Sequence, residues 1–104
     1  MDKKDAIETA QQYVYEVGAK YPLTRALVFG SFAKGTSHED SDIDVAVVIK
    51  ESDNIFDTQV DLMHMRRNDN LRIEPHAFRE DDFDTDNPLV HEILQTGVAL
   101  KIMA

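Results

Sequence analysis

Asp42 and Asp44 are two carboxylates separated by one residue, at the start of the apolar, β-branched run Ile43-Asp44-Val45-Ala46-Val47-Val48-Ile49. Such a run reads as a buried strand, and an i, i+2 spacing on a strand puts both side chains on one face. Two carboxylates a few ångströms apart at intermediate dielectric repel by about 4 kcal/mol. A divalent cation removes that repulsion, and an all-oxygen ligand set suits Mg²⁺. Upstream, the apolar run Ala26-Leu27-Val28-Phe29 stops at Gly30-Ser31. A glycine there permits close backbone approach, and a helix start with a hydroxyl supplies donors to a phosphate. Cation and phosphate chemistry are therefore expected side by side.

The elements that must position these groups can be read from periodicity. Ile7, Ala10, Val14 and Val17 recur at helical spacing with Gly18 as a stop, which predicts a helix over 3–17. A strand over 24–29, a short helix starting at 31–34, a polar loop over 35–41 and a strand reaching Ile49 follow. Phe56, Val60, Met63 and Arg67 mark a second long helix ending near 68–70. Residues 71–78 read as a third strand, with Leu71, Ile73 and Pro75 on one face and Arg72, Glu74 and His76 on the other. Pro75 lacks a ladder donor, so this strand is expected at an edge or a bend. After the acidic segment 80–86, Asn87-Pro88 is an N-cap and N1 pair, Leu89, Val90, Ile93 and Leu94 form a helix, and Gly97 stops it. A last strand is expected over 98–103. Alternating helices and strands of these lengths place the chain in the α/β class, as a compact two-layer domain.

Composition narrows the function. The 104 residues suit one small domain, and no run nears the roughly 20 apolar residues of a membrane span. Met1-Asp2-Lys3-Lys4-Asp5 is not followed by the apolar core of a signal peptide, so a cytoplasmic protein is the expectation. The chain has no cysteine, which excludes disulfides and thiolate metal sites. A net charge of −9 opposes direct binding of nucleic acid and allows a basic protein partner or a cation site, with simple solubility as the other reading.

Gly30-Ser31, ten residues, then Asp42-Ile43-Asp44 resembles the signature of the nucleotidyltransferase superfamily that includes DNA polymerase β and kanamycin nucleotidyltransferase. The short chain and its Phe32-Ala33-Lys34-Gly35 connector look most like the minimal nucleotidyltransferase domains, and the resemblance spans essentially all of residues 1–104. It implies the polymerase-β-like fold with a small mixed sheet, and ATP as substrate with two Mg²⁺ ions. It also implies a third metal carboxylate on a later strand. Glu74 is the candidate, and Pro75 biases it towards an extended conformation. The family often carries Asp there, so Glu74 is expected either as a looser metal ligand or as a base. On this reading Asp42, Asp44 and Glu74 are catalytic and hold the metals, while Gly30, Ser31 and Lys34 bind the nucleotide phosphates. A hydroxyl attacks the α-phosphorus in line and pyrophosphate leaves, with catalysis resting on positioning and charge neutralisation.

Many minimal nucleotidyltransferases are encoded beside a HEPN-domain toxin and act as its antitoxin. The resemblance therefore implies AMPylation of a toxin hydroxyl, a tyrosine first. The other readings are an antitoxin that neutralises by binding alone, and a small-molecule transferase of the aminoglycoside-modifying kind, which needs an acceptor lobe or an oligomer to complete its site. Homo- or hetero-oligomers are both open.

Two similar patterns fail. Gly30-x4-Gly35 is followed by Thr36-Ser37, not the Lys-Ser/Thr of a P-loop. Asp40-x-Asp42-x-Asp44 with Glu51 mimics an EF-hand loop, but its sixth position is Val45, not Gly. The histidines have no metal-ligand spacing with one another. His76 shares the face of Glu74, which makes it a candidate lining residue, and His38 lies in the loop before Asp42.

Overall fold

The computed structural model describes residues 1–68 and 70–103. Helix α1 (Lys3–Lys20) opens on Asp2, whose side chain accepts from the Asp5 amide, and buries Ala6, Ala10, Tyr13, Val14 and Val17. Strand β1 (Leu23–Phe29) leads into the single-turn helix α2 (Ser31–Lys34), and strand β2 (Ile43–Ile49) follows. Helix α3 (Ile55–His64) is capped by the Asn54 side chain. Strand β3 (Ile73–Arg79) passes through a 3-10 turn (Glu80–Asp82) to helix α4 (Pro88–Thr96) and the short strand β4 (Val98–Ala99).

The four strands lie in the order β3-β2-β1-β4. β1 runs antiparallel to β2 and β4, whereas β2 and β3 are parallel, so the sheet is mixed, as the resemblance implied. Alternation along β2 assigns the two faces. Ile43, Val45, Val47 and Ile49 join the main core with the inner stripe of α1, Phe32 of α2 and Leu62 of α3. Ala46 points the other way, into a smaller cluster with Leu27, Phe29 and Ile93 of α4. That cluster corrects the two-layer expectation, because α4 covers part of the second face.

β3 is an edge strand, and its exposed ladder is met by a side chain instead of a strand. The Gln59 amide donates to the Pro75 carbonyl (2.7 Å) and accepts from the Ala77 amide (2.8 Å). Gln11 treats the tail likewise, donating to the Lys101 carbonyl (2.7 Å) and accepting from its amide (2.9 Å). Covering an edge in this way prevents its pairing with another chain.

Four boundaries differ from the sequence reading by more than one residue. α1 continues through Gly18 to Lys20, because that glycine serves packing and not capping. A Cβ there would lie 2.9 Å from the Ile102 carbonyl oxygen. α3 ends at His64, short of 68–70 (Asp69 itself is outside the described residues), and presents Phe56 and Val60 to solvent, at 80% and 52% exposure. Thr58 and Leu62 face inward instead. Polar contacts set this rotation: the buried Tyr13 hydroxyl donates to the Leu62 carbonyl (2.6 Å), and Gln59 must reach β3. Leu71 is exposed and precedes β3, and the last strand is two residues long. Among the described residues no helix is long and apolar enough to cross a membrane.

Candidate active site

The face of the sheet opposite the main core is not apolar throughout. In the parallel pair, Asp44 of β2 stands opposite Glu74 of β3, and Ala46 opposite His76. Asp44, Glu74 and His76 therefore project from the same face. One carboxylate oxygen from each acid and one ring nitrogen of His76 all lie within 4.8 Å of one another. His76 Nε2 is 3.2 Å from Asp44 Oδ1. The edge of Phe29 supports the ring at a centroid distance of 5.0 Å. Phe29 in turn pairs with Asp44 across β1 and β2.

Gly30 begins the turn into α2 with φ 75° and ψ −151°. A left-handed φ favours glycine, and here space demands it as well. A Cβ at this position would overlap Oδ2 of Asp44. The turn therefore lies directly against the carboxylate. Ser31 follows, half-buried, at the first position of α2. The amide of Lys34 donates to the Gly30 carbonyl (3.1 Å), and its ammonium is paired with Glu92 of α4.

Asp42 is placed differently from its companions. It is exposed, precedes β2, and stands outside the group formed by Asp44, Glu74 and His76. The strand therefore opens with one of the two expected carboxylates, not both. The loop carrying Asp42 is held by Arg72, just before β3. The Arg72 guanidinium donates to the Glu39 carbonyl (2.7 Å) and the Ser41 carbonyl (2.6 Å), and lies 5.9 Å from the centre of the Phe32 ring. Its own carbonyl accepts from the Ile43 amide (2.9 Å). The buried Ser41 hydroxyl accepts from the His38 amide (2.9 Å). Sequence reasoning assigned no role to Arg72 or Phe29. The available signal was the alternation Arg72, Glu74, His76, which puts three polar side chains on one strand face. A separate depression lined by Glu8, Thr9, Gln12, Glu16 and Asn70 lies beside α1, on the other side of the sheet.

A mixed four-stranded sheet, a glycine turn into a short helix and carboxylates on adjacent parallel strands define the class: a polymerase-β-like nucleotidyltransferase. The family model described as "Polymerase beta, Nucleotidyltransferase" matches residues 13–102, and the chain belongs to that family. Membership implies a nucleotide substrate and a divalent metal, and a donor set of two carboxylates and an imidazole within 4.8 Å fits a divalent cation.

Three solved structures show the same fold. A nucleotidyltransferase from Sulfolobus solfataricus is 22% identical with a TM-score of 0.69, over 93% of this chain and 80% of that one. A toxin–antitoxin structure with AMP-PNP is 20% identical with a TM-score of 0.61, over 97% and 73%. A minimal nucleotidyltransferase is 24% identical with a TM-score of 0.59, over 96% and 97%. No curated protein sequence matches this chain.

Proposed function

We propose that residues 1–104 act as one minimal nucleotidyltransferase domain, a cytoplasmic antitoxin that moves AMP from ATP to a tyrosine hydroxyl of a HEPN-type toxin. The observation that carries this reading is the register of β2 on β3, which sets Asp44 beside Glu74 against the Gly30 turn. The toxin–antitoxin assemblies among the similar structures, one of them solved with AMP-PNP, support the partner and the nucleotide. The net charge of −9 favours encounter with a basic partner such as an RNase.

In this mechanism the chain holds and aims the reactants. The backbone at Gly30 approaches the triphosphate, and the Ser31 hydroxyl donates to a phosphate oxygen. Lys34 exchanges Glu92 for the β- and γ-phosphates. Asp42, Asp44 and Glu74 would hold the two divalent ions, Mg²⁺ in the family's usual chemistry. Bound there, such ions would supply neutralisation of phosphate charge and acidification of the attacking hydroxyl. Glu74, exposed at the edge strand, accepts the hydroxyl proton as the new P–O bond forms and pyrophosphate departs. The added phosphate brings charge and bulk to the toxin, which excludes an RNA substrate from its cleavage site.

The test is to incubate toxin, ATP and Mg²⁺ with this protein and weigh the toxin by mass spectrometry. AMP-sized increments are expected with wild type and none with Asp44→Ala. Suppressed toxin activity at unchanged toxin mass would establish neutralisation by binding alone.

A further inference from the structure

The structure supplies a ligand beyond the three carboxylates, and it is a nitrogen. The geometry points to His76 Nε2 as an inner-sphere ligand of a cation held by Asp44 and Glu74, which makes this position select a first-row transition-metal dication over Mg²⁺. The inference deepens the nucleotidyltransferase reading and rests on it for the presence of a metal.

Distances come first. Two ligand atoms each about 2.1 Å from one cation and at right angles stand about 3 Å apart. His76 Nε2 and Asp44 Oδ1 are 3.2 Å apart, and one oxygen of each carboxylate and one ring nitrogen of His76 lie within 4.8 Å of one another. The exposed Glu74 side chain closes the remaining gap by rotation about its own bonds, without movement of the strand.

The imidazole is also held in place. Its Cα position is fixed by the pairing with Ala46 in the parallel ladder. Phe29 is buried to 6% exposure and braces the ring edge-on. A histidine that merely decorated the surface would have neither support. His76 is partly buried, with 29% of its side chain exposed, which leaves the site open to a cation and a nucleotide from solvent.

The donor set then selects the metal. Mg²⁺ takes oxygen ligands and accepts imidazole poorly, whereas affinity for a nitrogen-containing site rises along the first-row series from Mn²⁺ to Cu²⁺. Two carboxylates with one imidazole leave positions free for phosphate oxygens, so a transition-metal ion here remains able to engage a nucleotide.

Mn²⁺ is the probe, because its unpaired spins report the ligand atoms directly. Spin-echo spectroscopy of wild-type protein with one equivalent of Mn²⁺ should show strong nitrogen hyperfine coupling, and His76→Ala should lose it. Calorimetry should find Mn²⁺ bound at least about tenfold tighter than Mg²⁺, and His76→Ala should close most of that gap with little change for Mg²⁺. His76→Gln, which retains a polar partner for Asp44, should behave like His76→Ala and not like wild type. Absence of nitrogen coupling in wild type, which needs no variant to fold, overturns the assignment. Equal affinity for the two metals overturns the selectivity. AMP transfer is scored separately. Nitrogen coupling without any transfer keeps this site and sinks the enzymatic reading, while transfer with Mg²⁺ and no nitrogen coupling does the reverse.

Discussion

The Asp44 carboxylate occupies the space in which residue 30 would carry a Cβ. Gly30 follows directly on Phe29, which pairs with Asp44 across the antiparallel β1 and β2, so the turn and the Asp44 carboxylate are held in register by the sheet. The Gly-Ser turn and the second aspartate thus form one structural unit, not two motifs that happen to be close.

Gly30→Ala should therefore damage stability and activity together. The left-handed φ of 75° costs a residue with a Cβ about 1–3 kcal/mol, and the methyl group must also displace Asp44. A displacement of about 1 Å at reacting groups lowers turnover by roughly 10²-fold. Urea denaturation should show the stability loss, and single-turnover AMP transfer the rate loss. An active Gly30→Ala protein would mean that Asp44 does not act from its observed position. Gly35, with the same φ but open space around it, is the control: alanine there should carry backbone strain alone.

What the sequence made legible was local chemistry. Asn87-Pro88 and Gly97 bracket α4 because capping is decided by a few adjacent residues, and the β-branched run of β2 announces a buried strand without reference to its neighbours. Phe56 and Val60 misled because the rotation of α3 is set by partners distant in sequence, Tyr13 on α1 and the edge of β3. Gly18 misled for a similar reason, since only the tail passing over α1 reveals why a glycine is needed. The site divided along the same line. The Gly30–Ser31 turn and Asp44 were visible in spacing. The place of His76 beside Asp44 depends on the register of β2 on β3, which is not written in any short motif.

Arg72 joins the two halves of the site, and its removal should separate kcat from KM. It clamps the carbonyls of Glu39 and Ser41, immediately before Asp42, while its own strand carries Glu74. Arg72→Ala frees the loop and removes the cation over Phe32 of α2, but no hydrogen bond of the Gly30 turn. kcat should fall by about 10-fold to 100-fold with KM for ATP within a few-fold of wild type. Hydrogen exchange at residues 39–42 should quicken. Arg72→Lys, a point charge without the planar fork, should rescue only part of the loss. A variant with wild-type kcat would show that the loop holds Asp42 without this clamp.

The clasp between α1 and α3 predicts how stability depends on pH. The Lys20 ammonium is 2.6 Å from Asp61, and the Tyr21 hydroxyl donates to the same carboxylate. Asp61 is held below its ordinary value of 3.8 by the Lys20 contact first and the Tyr21 hydrogen bond second. Tyr21 is pushed up to about 12, by burial first and then by Asp61. The depressed acid contributes stability at pH values above about 4, and that contribution is lost as pH falls through its folded value. The raised phenol contributes fully below pH 10.0 and loses its contribution as pH rises towards about 12. With the Lys20 side chain 55% and the Asp61 side chain 30% exposed, the ion pair itself contributes about 0–1 kcal/mol. Thermal unfolding followed from pH 3 to 11, over the range set by these groups, should show Asp61→Asn weakening the acid slope and Tyr21→Phe weakening the alkaline one. Identical slopes in variants and wild type would exclude the clasp as the source.

Asp42 and Asp44 should separate when nucleotide is withheld. Asp44 belongs to the group of donors within 4.8 Å, while Asp42 is exposed on the loop before the strand. Asp44→Asn and Glu74→Gln each remove a ligand from that group, so binding of Mn²⁺ without nucleotide should weaken by about tenfold or more. Asp42→Asn should leave it nearly unchanged. Addition of a non-hydrolysable ATP analogue should reverse this indifference, because phosphate oxygens supply the missing ligands for an ion shared between Asp42 and Asp44. Metal affinity should then rise in wild type and much less in Asp42→Asn. Calorimetry on the three variants with and without the analogue measures both halves. If Asp42→Asn weakens nucleotide-free binding as much as Asp44→Asn, the two aspartates already act as one ligand pair before substrate arrives, and the placement of Asp42 outside the group has no functional consequence.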